Sequence, residues 1–158
     1  QYPFTLLTYG DGLVEPLKAK DHLNKNGIST VCICMTAIIN ERVLPKEILK
    51  IIENSKHMLV IDTSNYQFGV MQGLIGEMNT KLEKKIKTKT FSPPFKPCPT
   101  SPTLVGEYYP FAPKIIKYIR SQNSKVTLMK KYGFDELHLP AQINFSKYKP
   151  KRIYQSIR

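Results

Sequence analysis

The sequence predicts an α/β domain, a three-layer α/β/α stack around a mainly parallel (mixed) sheet of about five strands. Three observations predict it. Short, β-favouring apolar runs alternate with stretches whose apolar residues recur at helical spacing. The joints between them are short. The apolar runs are also nearly continuous rather than alternating, as strands covered on both faces require. With 158 residues, 41% of them hydrophobic, the chain can bury a substantial core.

The elements follow in order. Phe4 to Tyr9 is an apolar, β-favouring run closed by Gly10, and reads as a buried strand. Asp11 can cap the helix whose stripe is Leu13, Val14, Leu17 and Leu23 and whose stop is Asn26-Gly27. Pro16 removes a backbone donor early in that helix, so its first turn is loose or the helix starts beyond Asp11. Ile28 to Ile39, with Val31, Cys32, Ile33 and Cys34 at its centre, is a second strand. Pro45 opens a second helix striped by Ile48, Leu49, Ile51 and Ile52 and ended at Asn54-Ser55. His57 to Asp62 is a third strand, and Phe68 to Leu82 a third helix with Val70, Met71, Leu74, Ile75, Met78 and Leu82 on its apolar face.

The rhythm then changes. Residues 85–90, KIKTKT, alternate with period two, and their lysines suit a sheet edge. Pro93, Pro94, Pro97, Pro99 and Pro102 predict an extended loop. Pro110 and Pro113 flank the start of a last helix, Lys114 to Arg120. Beyond it the pattern weakens. Residues 1–120 are therefore assigned to the α/β domain and 121–158 to a basic extension or arm.

The net charge is +12, concentrated in Lys81–Lys89 and Lys147–Arg158. Such a surplus is a solvated face or tail, or it meets an acidic protein, nucleic acid or anionic membrane. In the tail, Lys147, Lys149, Lys151 and Arg152 interleave with Tyr148 and Tyr154. That mixture suits phosphate and base contacts, and equally an arm laid over an acidic neighbour. No apolar run approaches the roughly 20 residues of a membrane span. Cys32, Cys34 and Cys98 do not form a disulfide framework, and two cysteines two apart in a strand are poorly placed to bond each other. His22, His57 and His138 stand far from any partner at ligand spacing, which argues against zinc. A reducing, intracellular compartment is expected, cytoplasm or organelle matrix.

Catalytic candidates are thin. Glu15, Glu47, Glu53 and Glu77 have no partner arranged for acid–base work and read as surface. Ser64 and Ser101 have no nearby histidine. Asp62, ending a central strand, either caps the following turn or faces a subunit interface. Phe68-Gly69 is a packed turn or an interface knuckle, and Tyr108 and Tyr109 anchor a loop or face a partner. Gly10-Asp11-Gly12 matches the start of the segment that holds metal and diphosphate in thiamine-diphosphate enzymes. Asn40 stands near the distance of that segment's closing asparagine, but alone. A turn with a helix cap is the better reading of the tripeptide.

The stretch TYGDGLVEPLKAKDHLNKNGIST resembles the opening of the carboxy-terminal domain of the transketolase family. Lys56 to Asp62 followed by Phe68-Gly69-Val70 resembles that family's third strand and glycine-containing turn. Pro99-Thr100-Ser101-Pro102 through Tyr108-Tyr109-Pro110 resembles a loop of one branch, the beta subunit of the thiamine-diphosphate-dependent decarboxylating component of 2-oxo acid dehydrogenase complexes. The chain departs from that branch at Met35 or a neighbour, where the branch usually has an arginine, at the displaced Val43-Leu44-Pro45, and at Leu104-Val105, where the branch usually has Leu-Glu. The resemblance implies a domain that pairs subunits and docks an acyltransferase core, with no catalytic, cofactor or metal residue of its own. Thiamine diphosphate and magnesium would lie between two other domains of the parent enzyme, which would act on a 2-oxo acid of pyruvate or branched-chain type or on a sugar. Asp62, Phe68, Gly69, Tyr108 and Tyr109 are the candidate interface residues, in a homodimer or hetero-oligomer. A second reading keeps the scaffold and makes the chain a free-standing module whose basic surface holds an acidic protein or nucleic acid.

Overall fold

The computed structural model describes residues 3–35, 45–64 and 69–123. Phe68, Asn40 and the basic arm beyond residue 123 lie outside them. The elements run β1 (Phe4–Tyr9), a 3-10 turn (Gly10–Leu13), α1 (Val14–Lys25), β2 (Thr30–Met35), α2 (Lys46–Glu53), β3 (His57–Ile61), α3 (Val70–Lys81), β4 (Lys87–Phe91), α4 (Pro102–Tyr108) and α5 (Ala112–Gln122). The strands form one sheet in the order β2-β1-β3-β4. All three pairings are parallel, with Leu6 opposite Cys32 and Leu59, and Leu59 opposite Lys89. Among the described residues the sheet thus has four strands and no antiparallel member, against the mixed sheet of about five expected from the sequence.

Parallel neighbours need crossovers, and these supply the outer layers. Phe4, Leu6, Leu59, Ile61 and Phe91 face Ala19 and Leu23 of α1 and Ala112, Ile115, Ile116 and Ile119 of α5. Leu7, Ile33, Met58 and Val60 face Ile52 of α2 and Met71, Leu74 and Met78 of α3. Period-two alternation along each strand sends neighbours to opposite layers, so β1 and β3 are buried on both faces, with Thr5 and Thr8 the buried polar residues of β1.

Several joints follow from local chemistry. The 3-10 turn occupies Gly10–Leu13 and the α-helix begins at Val14, which places Pro16 in the first turn, where a missing N–H is harmless. Gly27, at φ +76°, ends α1, and Ile28 N–H donates back to Leu23 O at 2.9 Å. Asn24 then acts as an extra rung beside β2, accepting from Thr30 N–H (2.7 Å) and donating to Thr30 O (3.1 Å). Ser55 donates its hydroxyl proton to Ile51 O, so Thr5 must donate the buried 2.5 Å bond between the two hydroxyls. That bond ties β1 to the end of α2. Proline spacing conceals α4, expected to be extended: Pro102 opens this short helix, where proline is tolerated. The lysines of β4 lie on an edge strand, as expected.

His22 of α1 meets Arg120 of α5, with Nη2 3.2 Å from Nε2. A guanidinium only donates, so Nε2 accepts and the ring is neutral. Burial, then Arg120 and Lys25, hold His22 below the ordinary histidine value. Burial, then Lys87 and Lys56, do the same for His57, whose ring stacks on Phe4 at 5.2 Å. The unfolded chain therefore takes up these protons first as pH falls. Their contribution to stability is complete above the ordinary histidine range and is lost on acidification through it. Urea unfolding should show lower stability at about pH 5.5 than at about pH 7.5, with His22→Gln/His57→Gln flattening the difference. An unchanged slope would contradict the assignment.

Candidate functional site

Strand order reverses between β1 and β3, so the crevice beyond their carboxyl ends is where an open α/β sheet places ligands. The turn after β1 and the segment Asp62–Ser64 after β3 line it. Gly10 has φ +54° and bends the chain over the strand end. Gly12 is required for space instead. A Cβ there would stand 2.7 Å from Thr8 Oγ1 and 3.4 Å from Thr63 Cγ2. The first glycine of the tripeptide thus makes the turn, and the second lets it close onto β1 and β3.

The acidic groups of the crevice hold the two connections together. Thr63 Oγ1 donates to Asp11 Oδ1 at 3.0 Å, linking the β1 turn to the β3 exit. Asp62 is 1% exposed, and its backbone N–H donates to Phe91 O at 2.9 Å, extending the ladder to β4. Its Oδ1 accepts from Ser64 N–H (2.8 Å) and Ser64 Oγ (2.5 Å), the turn-capping role foreseen for it. Its Oδ2 is buried with no hydrogen-bond partner among the described residues. Asp11 is exposed and sits at one end of the crevice. Among the described residues no three His, Cys, Asp or Glu side chains converge as a metal site. At Gly10-Asp11-Gly12 the space beside Gly12 is taken by Thr8, and Asp11 Oδ1 already accepts from Thr63.

The two cysteines of β2 are held toward the thiol form. Burial, with Cys34 adding, pushes the Cys32 thiol up to about 12. Burial also raises Cys34, opposed by a hydrogen bond from the Gly10 backbone. All three cysteines are free thiols. Ser64 is engaged with Asp62 rather than with a base, and Ser101 is the residue before α4, making no capping bond.

The remaining candidates fall into two groups. Gly69 is buried at the start of α3, on the same β3–α3 connection as Asp62. Tyr108 and Tyr109 end α4, with rings edge to face at 5.1 Å and 77°. Tyr108 Oη donates to Lys96 O at 2.7 Å, and Cys98 Sγ lies 3.8 Å from Tyr109 Oη. Both tyrosines therefore anchor the proline-rich loop. The Cys98 contact is the chief cause raising the Tyr109 phenol.

Glu15 is a correction to the sequence reading. It is no idle surface carboxylate: Oε2 accepts from Ala112 N–H at 2.8 Å and Oε1 pairs with Lys18 at 2.6 Å. Phe111 and Pro113 give α5 no local side-chain cap, and Glu15 supplies the missing acceptor from 97 positions away. The absence of a capping residue before Ala112 was the available signal. Glu77 pairs with Lys81 along α3, and Glu53 accepts from Glu83 N–H at 3.2 Å. Gly12→Ala should destabilise the fold by about 1–3 kcal/mol in urea unfolding. In a Thr8→Ala background the cost should shrink, a coupling of about 0.5–3 kcal/mol. Strict additivity would show that the Thr8 hydroxyl is not what excludes the methyl.

No family model matches the chain, and no characterised protein matches it in sequence. Among solved structures it is similar to a split gene transketolase, an inactive beta4 tetramer. The TM-score is 0.59 and the identity 14%, over 75% of this chain and 37% of that one. The chain thus spans little more than a third of that protein. At this identity the likeness shows the fold, and the fold is transketolase-like.

Proposed function

We propose that the chain is a non-catalytic assembly domain of a thiamine-diphosphate-dependent enzyme of transketolase type. The observation that carries the reading is the internal engagement of the crevice: Thr63 ties the β3 exit to Asp11 of the β1 turn, and Ser64 holds Asp62 within the β3 exit itself. A crevice built this way positions a rigid surface rather than a reacting atom. The likeness to a transketolase described as a tetramer supports a role among subunits. The cofactor and its magnesium are then held by other domains of the parent enzyme. The finer reading, a 2-oxo acid dehydrogenase beta subunit with an acyltransferase core as partner, rests on the loop from Pro99 to Pro110. The subunit surface is assigned to the interface candidates of the sequence, with Tyr108 and Tyr109 at the end of α4 and Asp62 bracing the turn after β3; Gly69 is buried at the start of α3, and Phe68 lies outside the described residues. Such a protein works inside the cell. Among the described residues no helix is long and apolar enough to cross a membrane.

Calorimetry of the chain with thiamine diphosphate and magnesium should give no binding heat, while sedimentation should show self-association or capture of a companion subunit. Micromolar cofactor binding that Asp11→Asn abolishes, by a chain that stays monomeric, would contradict the proposal.

A further inference from the structure

The strongest unexplained feature lies away from the crevice, along the outer side of β4. Lys87, Lys89 and Phe91 alternate on the face turned toward α5. Lys87 Nζ reaches Gln122 Oε1 at 2.8 Å, and Phe91 packs edge-on against Tyr118 at 5.4 Å. The helix therefore runs antiparallel to the strand, and a groove lies between them. At its far end Lys89 from β4 and Lys114 from α5 converge on a depression of about 440 Å³, with Phe91, Pro93, Pro94 and Phe95 among its walls. Both lysines are exposed, and Phe95 is 63% exposed. The ion pairs among the described residues join Lys18 to Glu15, Lys20 to Asp21 and Lys81 to Glu77; Lys89 and Lys114 are in none of them, and Lys114 Nζ donates to the Glu107 backbone carbonyl at 3.4 Å.

The strand's backbone adds a second observation. Phe91 O accepts from Asp62 N–H, so Phe91 turns its peptide groups toward β3. By strand alternation, Thr88 and Thr90 turn theirs outward. Among the described residues β4 pairs with β3 alone, and its outer edge has no strand beside it. Edge lysines alone are commonly a guard against unwanted pairing. A guard does not explain why a lysine from a different element converges on the same depression, or why that depression has aromatic and proline walls.

We propose that the outer edge of β4 and the β4–α5 groove form a docking surface for an extended acidic peptide segment of a partner protein. Main-chain bonds to Thr88 and Thr90 add the peptide as a strand. A carboxylate of the peptide sits between Lys89 and Lys114, and an apolar side chain enters the depression against Phe91. The edge selects an extended chain, and the two lysines select acidic residues. This surface goes beyond the assembly reading and does not depend on it.

The test uses the full chain and a fluorescein-labelled synthetic peptide alternating glutamate with valine and carrying one phenylalanine. Controls are the same peptide with lysine for glutamate, one with alternate residues N-methylated, and single-stranded oligothymidylate. Anisotropy should show submillimolar binding of the acidic peptide and none of the lysine peptide. N-methylation, or Lys89→Glu/Lys114→Glu with unchanged thermal unfolding, should weaken binding at least about tenfold. Amide shifts on titration should centre on Thr88 and Thr90. The proposal is overturned if the acidic peptide fails to bind, if the double substitution leaves binding intact, if N-methylation has no effect, or if the oligonucleotide binds the same lysines more tightly. Failure to bind includes the case in which the chain's own residues 124–158 already cover the groove.

Discussion

The structure depends on one constraint: β1 lies inside a parallel sheet, and neither of its faces can meet water. Leu6 and Leu7 are adjacent, point to opposite layers, and are each 0% exposed. Covering both is worth about 1.5–3 kcal/mol per side chain, and it demands helices above and below the sheet. Three crossover helices and the helix after β4 provide them: α1 and α5 against one face, α2 and α3 against the other. Because β1 leads to β2 on one side while β3 and β4 build on the other, the order reverses beside β1. The crevice, the closely packed Gly12 and the Asp11–Thr63 link all follow from that reversal. The lysine-bearing outer edge follows from the same arrangement, since β4 ends the sheet on that side among the described residues.

Polar side chains complete what the backbone leaves unfinished. Asn24 extends the β2 edge, Ser55 and Thr5 close a buried pair beneath the α2 terminus, and Asp62 holds the β3 exit. Glu15 caps a helix at the other end of the chain. Each answers a main-chain or hydroxyl group that burial would otherwise strand, at about 1–3 kcal/mol apiece. This accounting makes the crevice a joint between connections. At the β4 edge, by contrast, the outward peptide groups of Thr88 and Thr90 have no strand beside them among the described residues.

How much the sequence disclosed tracks the range of the interactions. Strands β1, β2 and β3 were legible because doubly covered strands carry short, mostly apolar, β-favouring runs, and α1 and α3 because their stripes are long. Lys87 and Lys89 announced an edge. The turn at Gly10–Leu13 and the delayed start of α1 were legible from Pro16. The short helix α4 was hidden because its opening proline belongs to a series that otherwise signals extended chain. Gly12's role was hidden because Thr8 and Thr63 approach it only in the folded state, and Glu15's because its partner lies in α5. The interface reading of Asp62 competed with a turn-capping one, and the geometry displays the capping bonds. Local signals thus gave the elements, and the long-range polar contacts were invisible until the sheet brought them together.

A transketolase-like scaffold whose central strand is sealed on both sides has the suitability that the proposed assembly role requires. That suitability rests on β1 being the last part of the molecule to yield. Native-state hydrogen exchange measures it most directly. The amides of Leu6, Leu7, Leu59 and Val60 should exchange slowest, together, and only through global unfolding. If β1 exchanges by local opening while β4 or an outer helix stays protected, the sealed central strand is not what the fold depends on.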